Sequence, residues 1–240
     1  MKLKNIQRVL ITLFIFASFV FVVSVNESVA QPTGIIISEN ITETSGSTPP
    51  ANRTDPGGTI TTILVDVLQQ NPRWKAYIGN ITGVLSLDDA DGQSIFRWEL
   101  EAEDVTGNIF ISRADVLDWG SVDCPTPQQI ADEDSALGFS SSAADSINRT
   151  FTDTHPSIFI GIVEHENCPA TSTYVNNAPQ AGSPDFPLVL LYTGTNMIYA
   201  TPVNKDSQSF NGANNVDFQA IVPDQTVGTT TYYFYAEIGA

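Results

Sequence analysis

The chain has 240 residues, 10 of them basic and 27 acidic, for a net charge of −17, and it contains two cysteines. So negative a surface repels nucleic acid and anionic lipid, and neither is expected as a partner. The length suffices for one domain with a real hydrophobic core, and all-β folds often reach this size as a single unit.

The first 30 residues read as a secretory leader. Lys2, Lys4 and Arg8 precede an apolar run from Val9 to Val25, and the small residues Ser28-Val29-Ala30 follow. A basic stretch, an apolar stretch and a cleavage site in that order mark a signal peptide, cut here after Ala30. The competing reading is an uncleaved membrane anchor. A spanning helix needs about 20 apolar residues, whereas this run is shorter and carries Thr12, Ser18 and Ser24. No later stretch is apolar enough to span, so the mature chain is expected to be secreted or at the cell surface, free of the membrane. Cleavage removes three basic residues and one acid, leaving 7 basic against 26 acidic, a net −19.

Residues 31–58 divide into a short β-prone run and a tether. Ile35, Ile36, Ile37 and Ile41 lie in the run at 34–41, and the Ser/Thr/Pro/Gly-rich stretch after it lacks apolar periodicity. A strand on a loose tether must pair with some sheet edge. That edge belongs either to its own domain or to the next molecule, as in donor-strand complementation.

The remainder, 59–240, is expected to form one all-β domain, an antiparallel sandwich or jelly roll. Residues 59–69 are β-branched and bounded by Gly58 and Pro72, which predicts a strand. All three tryptophans, Trp74, Trp98 and Trp119, follow within one stretch. Phe96, Trp98, Leu100 and Ala102 alternate with Arg97, Glu99 and Glu101, so this segment reads as a strand with one face buried. Asp91-Gly92 reads as the turn of a hairpin, taken as the seed of the core. A strand over 108–112 comes next. Thr126 and Pro127 start a short helix that Gly138 stops, and 140–147 has the composition for another turn. Residues 158–163 are apolar throughout, which predicts one buried strand. Past a polar loop at 170–185, strands are predicted at 188–192, 197–203, 216–222 and 230–238. The last is rich in aromatics and is expected to be central.

Cys124 and Cys168 stand 44 residues apart and, in an exported chain, read as a disulfide enclosing the helical insert. Such a closure contributes roughly 4 kcal/mol in the chain-entropy model. The rivals are free thiols or half of a metal site, and neither has the Cys-x-x-Cys spacing of zinc sites. Asn40, Asn52, Asn80 and Asn148 begin Asn-x-Thr sequons, acceptors for glycans on an exported surface. Asp88, Asp89 and Asp91 contain part of a calcium loop, with the hairpin turn as the competing explanation. Asp132-Glu133-Asp134 reads as a solvated helix face. His155 and His165 are the only histidines, and His165 with Glu166 makes a weak ligand pair. Tyr77, Tyr233 and Tyr235 are candidates for sugar stacking, against the alternative of core packing. There is no Gly-x-Ser-x-Gly elbow and no phosphate-cradling glycine loop. No catalytic residues or cofactor are expected, apart from Ca²⁺ at the aspartate run.

The pattern Trp74-x-x-Tyr77-x-Gly79-Asn80-x-Thr82-Gly83, then Trp98, Trp119 with Cys124, and a closing Tyr232-Tyr233-Phe234-Tyr235 resembles a family of exported, mostly archaeal proteins of uncharacterised function. The likeness runs from about Trp74 to the C-terminus. It implies an archaeal-type cell surface and carries no catalytic residues over. In architecture, the tether and its strand are similar to filament subunits built by strand exchange. The leading expectation is therefore a secreted structural or adhesive protein, self-associating into a polymer through residues 34–41. The alternatives are a secreted carbohydrate- or calcium-binding module and, third, a secreted hydrolase.

Overall fold

The computed structural model describes residues 31–240 except 45–49, Asp66, Leu68, 100–104, Thr226 and Ala240. The leader at 1–30 lies outside the described residues, as do Leu100, Glu101 and Ala102 of the predicted 95–102 strand. In chain order the strands are β1 (Thr33–Gly34), β2 (Trp74–Gly79), β3 (Val84–Asp88), β4 (Ser94–Glu99), β5 (Thr106–Ser112) and β6 (Val122–Asp123). Then come α1 (Pro127–Ala136), α2 (Ile147–Thr150), β7 (Asp153–Ile160), β8 (Val163–Ser172), β9 (Pro187–Thr193) and β10 (Asn196–Pro202). The chain closes with β11 (Ser207–Gln208), β12 (Asn215–Val216), β13 (Phe218–Pro223) and β14 (Tyr233–Gly239).

The fold is all-β and antiparallel, as predicted. One large sheet has the order β1-β14-β5-β10-β9-β8-β7, with β6 added beside β9. Its centre is buried on both faces, which is why Ile109-Phe110-Ile111 and Leu188-Val189-Leu190-Leu191 are apolar without alternation. Ile109, Ile111, Leu188, Leu190, Met197 and Tyr199 point to one face. There they meet α1, α2 and Ala220 and Val222 of the β13–β2 pair. Phe110, Val189, Leu191, Ile198 and Ala200 point to the other face, against Leu117, Val122, Ile158, Ile160 and Cys168. Gly107 opens β5 at φ +126°, hard against the backbone of Glu237 on β14, where no side chain fits.

Local chemistry explains the helical insert. The Thr126 hydroxyl accepts from the Gln129 N–H while the Gln129 side chain accepts from the Thr126 N–H at 2.7 Å, closing a capping box ahead of Pro127. The second helix begins later than predicted, at Ile147, because Ser146 caps it. Cys124 and Cys168 are joined in a disulfide with Cα atoms 5.0 Å apart, tying the start of the insert to β8.

Three strand predictions need correction. Residues 158–163 are not one buried strand. The chain reverses at Gly161, whose φ of +59° suits a residue without Cβ, and β7 and β8 form a hairpin with Ile162 and Val163 exposed. Strand β14 pairs fully with β5 only; its far edge carries just Thr33 and Gly34 of β1, so it lies beside the edge. The described residues of 59–69 form no strand.

Candidate assembly surface

The surface that stands apart is made of apolar segments without a partner among the described residues. The N-terminal arm begins in the large sheet, with Thr33 opposite Ala236 and Gly34 opposite Tyr235. The Ile35 N–H donates to the Phe234 carbonyl at 3.2 Å, and pairing stops there. Ile36 and Ile41 are then 93% and 91% exposed, and Ile37 is exposed as well. The predicted strand at 34–41 is thus formed in its own molecule only at its first residues. Downstream, Ile60, Ile63, Leu64, Val65 and Val67 are all exposed.

The β3–β4 hairpin is the second feature. It pairs with no other strand among the described residues. Leu85 stands opposite Trp98 and Leu87 opposite Phe96, so these four side chains share one face. Phe96 and Trp98 meet edge to face with centroids 4.9 Å apart. All four are exposed, Trp98 by half. This overturns the expectation that the hairpin seeds the core and buries Trp98. Alternation reports that a strand has two unlike faces, and nothing in this chain's described residues covers the apolar one. The other two tryptophans do pack: Trp74 against Phe139, and Trp119 against Phe110 and Tyr235.

The opposite face of the hairpin bonds to itself. The Ser86 hydroxyl donates to Asp88 at 2.8 Å and the Arg97 Nε–H to the Ser94 hydroxyl at 3.0 Å. At the tip, Asp89 Oδ1 accepts from the N–H groups of Asp91 and Gln93 at 3.0 and 2.8 Å, an Asx turn that uses the aspartate run. Among the described residues, no three His, Cys, Asp or Glu side chains converge as a metal cage, so Asp88, Asp89 and Asp91 are not brought together as ligands.

The foot of the hairpin is clamped. Asp217, fully buried, accepts from the Ile81 N–H and Lys205 Nζ, both at 2.7 Å, and from the Asp206 N–H at 3.1 Å. Burial alone would raise its pKa, but the Lys205 ammonium and the two N–H donors outweigh that and hold the carboxyl below its ordinary value. Asp224, near the other end of β2, is likewise held by Lys75 Nζ at 3.0 Å and the Thr230 N–H. Neither ion pair was foreseen, because nothing local marks an isolated Asp as buried.

The remaining predicted sites scatter. The asparagines of all four sequons, Asn40, Asn52, Asn80 and Asn148, are exposed. The acidic run in α1 is not a solvated face: Asp132 is exposed, but Glu133 and Asp134 are buried. Glu133 takes a two-pronged bond from Arg113. Asp134 accepts the N–H groups of Ile147 and Asn148, capping α2 from another element, and burial raises its pKa despite those bonds. His165 lies 3.9 Å from Asp123, and His155 is kept toward its neutral form by burial. Tyr77 packs on Phe234 and Tyr235 on Trp119, leaving Tyr233 exposed.

Each of the four buried carboxylates among the described residues, Glu133, Asp134, Asp217 and Asp224, is therefore engaged by structural partners. No helix among the described residues is long and apolar enough to cross a membrane. No protein-family model, curated protein or solved structure matches the chain.

Proposed function

We propose that the protein is a structural or adhesive subunit of an extracellular, archaeal-type surface, assembling when residues 34–41 donate a strand to the next copy. The observation that supports this most is the arm itself. All four of its isoleucines are exposed, although its first residues already sit in register on β14. Extension of that pairing on a neighbour would satisfy the backbone of the arm and cover its side chains. The accepting edge is that of β14, where the incoming arm takes the place of the acceptor's own Thr33 and Gly34; the other edge of the sheet, β7, carries Pro156, which offers no N–H and blunts pairing. The disulfide suits an oxidising compartment, and the exposed sequons suit glycans facing solvent.

Light scattering and electron microscopy of the mature chain with and without residues 31–45 test this. The intact chain should form polymers as concentration rises, and the truncated chain should form none, with unchanged near-ultraviolet circular dichroism. Equal assembly by both chains would reject the arm as donor.

A second reading, a glycan- or calcium-binding module, draws on the exposed Phe96–Trp98 pair, a surface on which a sugar ring can stack. Calorimetry against a glycan panel and Ca²⁺ separates it, since it requires a heat of binding that the structural reading does not.

A further inference from the structure

Two loops distant in sequence meet beside β13, away from the N-terminal arm and the β3–β4 hairpin. One follows β8 over residues 173–184, and the other joins β11 to β12 over residues 209–214. Tyr174 stands on the first, 54% exposed, and Phe210 on the second, 43% exposed. We propose that this surface binds an uncharged oligosaccharide, with the two rings as its stacking platform.

The backbone under the rings is locked. Val175 and Ala178 exchange backbone bonds of 3.0 and 2.9 Å around Asn176 and Asn177. The φ values of these two, 49° and 60°, fit a two-residue hairpin turn, and asparagine tolerates that region. Their N–H groups do not face water: Asn176 donates to the Ser209 carbonyl at 3.0 Å and Asn177 to the Phe210 carbonyl at 2.6 Å. Gln219 of β13, 1% exposed, joins the loops again. Its side chain accepts the Phe210 N–H at 2.8 Å and donates to the Tyr174 carbonyl at 3.1 Å. One buried amide therefore fixes the backbone of both ring-bearing residues. Gly212, at φ +70°, completes the fit, since a Cβ there would lie 2.6 Å from Asn176 Oδ1. Rings carried on a backbone ordered in advance lose little freedom when a ligand arrives.

Composition selects the ligand. In a mature chain of net charge −19, residues 171–184 and 207–216 carry no charged side chain. An anionic saccharide finds no cation in these segments, and a cationic peptide finds no carboxylate. What the loops offer is rings and amides, with Asn176, Asn177 and Asn214 all exposed. An uncharged sugar matches both. The rings take the apolar C–H side of a pyranose, and a side-chain amide both donates to and accepts from its hydroxyls. A single exposed aromatic is ordinary on a protein surface. Two held by one buried amide on uncharged ground form a site. This surface is separate from the Phe96–Trp98 pair and owes nothing to strand donation.

Saturation-transfer difference NMR on the intact mature chain tests the proposal, with cellotetraose, maltotetraose, mannotetraose and chitotetraose as probes. Saturation should reach the C–H protons of at least one of these sugars. Binding of that sugar should weaken about tenfold or more in Tyr174→Ala and in Phe210→Ala, as for loss of an anchoring ring, with thermal midpoints unchanged. Tyr174→Phe keeps the ring and should retain binding. Gly212→Ala removes no ring, yet it should weaken binding by disturbing the turn at Asn176, an effect that a merely exposed aromatic would not show. Trp98→Ala should leave binding unchanged. Binding lost in Trp98→Ala but kept in Tyr174→Ala and Phe210→Ala would overturn the proposal. Absence of transfer to all four sugars would overturn it too, and reduced self-association of the Tyr174→Ala and Phe210→Ala chains would then assign the surface to a second copy.

Discussion

Strands β9 and β10 and strands β3 and β4 are both antiparallel hairpins of about the same length, yet their apolar side chains meet opposite surroundings. From Leu188 to Leu191 and from Met197 to Ala200, every side chain is buried, because β5 and β8 extend the sheet sideways and both faces are roofed. In β3 and β4 neither edge is extended among the described residues, and the apolar face is open. Strand pattern and turn chemistry form a hairpin; only other strands and layers bury it. The first hairpin is held by packing and the second by its Asx turn, its polar face and a buried clamp at its foot.

The largest effect expected from this contrast lies in the core. Leu190→Ala should cost about 2–5 kcal/mol in urea unfolding, since Leu190 is fully buried against both helices and the β13–β2 pair. Leu87→Ala, 56% exposed, should cost about 0.5 kcal/mol or less in dilute solution. Equal losses would erase the distinction between the two hairpins.

A smaller effect is expected at the clamp. The folded pKa of Asp217 is lowered from 3.8, so its stabilisation is complete above that value and fades as pH falls through it and through the lowered folded value. Unfolding midpoints of the intact chain should therefore drop below about pH 4 more steeply than those of Asp217→Asn. The variant should also be less stable at neutral pH by about 1–3 kcal/mol, the scale of a charged hydrogen bond. Parallel pH profiles would remove Asp217 from the account. The smallest effect is at Tyr199, whose hydroxyl is buried without a partner among the described residues and whose pKa burial pushes well up. Tyr199→Phe should leave stability unchanged or raise it by up to about 1 kcal/mol. A clear loss in thermal unfolding would mean that the hydroxyl is bonded after all.

What was legible in the sequence follows the same division. The helix start at Thr126-Pro127, the disulfide, the β9–β10 hairpin around Gly194 and the Asp91-Gly92 turn depend on neighbouring residues or on cysteine count, and the structure contains all of them. Burial depends on distant partners, and there the sequence misled. Glu133 looks like a surface residue until Arg113, just past the end of β5, reaches it, and Asp134 until the start of α2 does. Trp98 looks like a core residue, yet among the described residues no strand or layer closes over it. Residues 158–163 look like one buried strand because Gly161 is read as a small apolar residue rather than a reversal point.

Hydrogen–deuterium exchange on the dilute, monomeric mature chain tests the contrast most directly. Amides of 188–200 should stay protected for hours, while those of 84–99 exchange orders of magnitude faster, in step with local opening of an isolated hairpin. Matching protection of the two segments in the monomer would contradict it, because the hairpin would then be covered by its own chain.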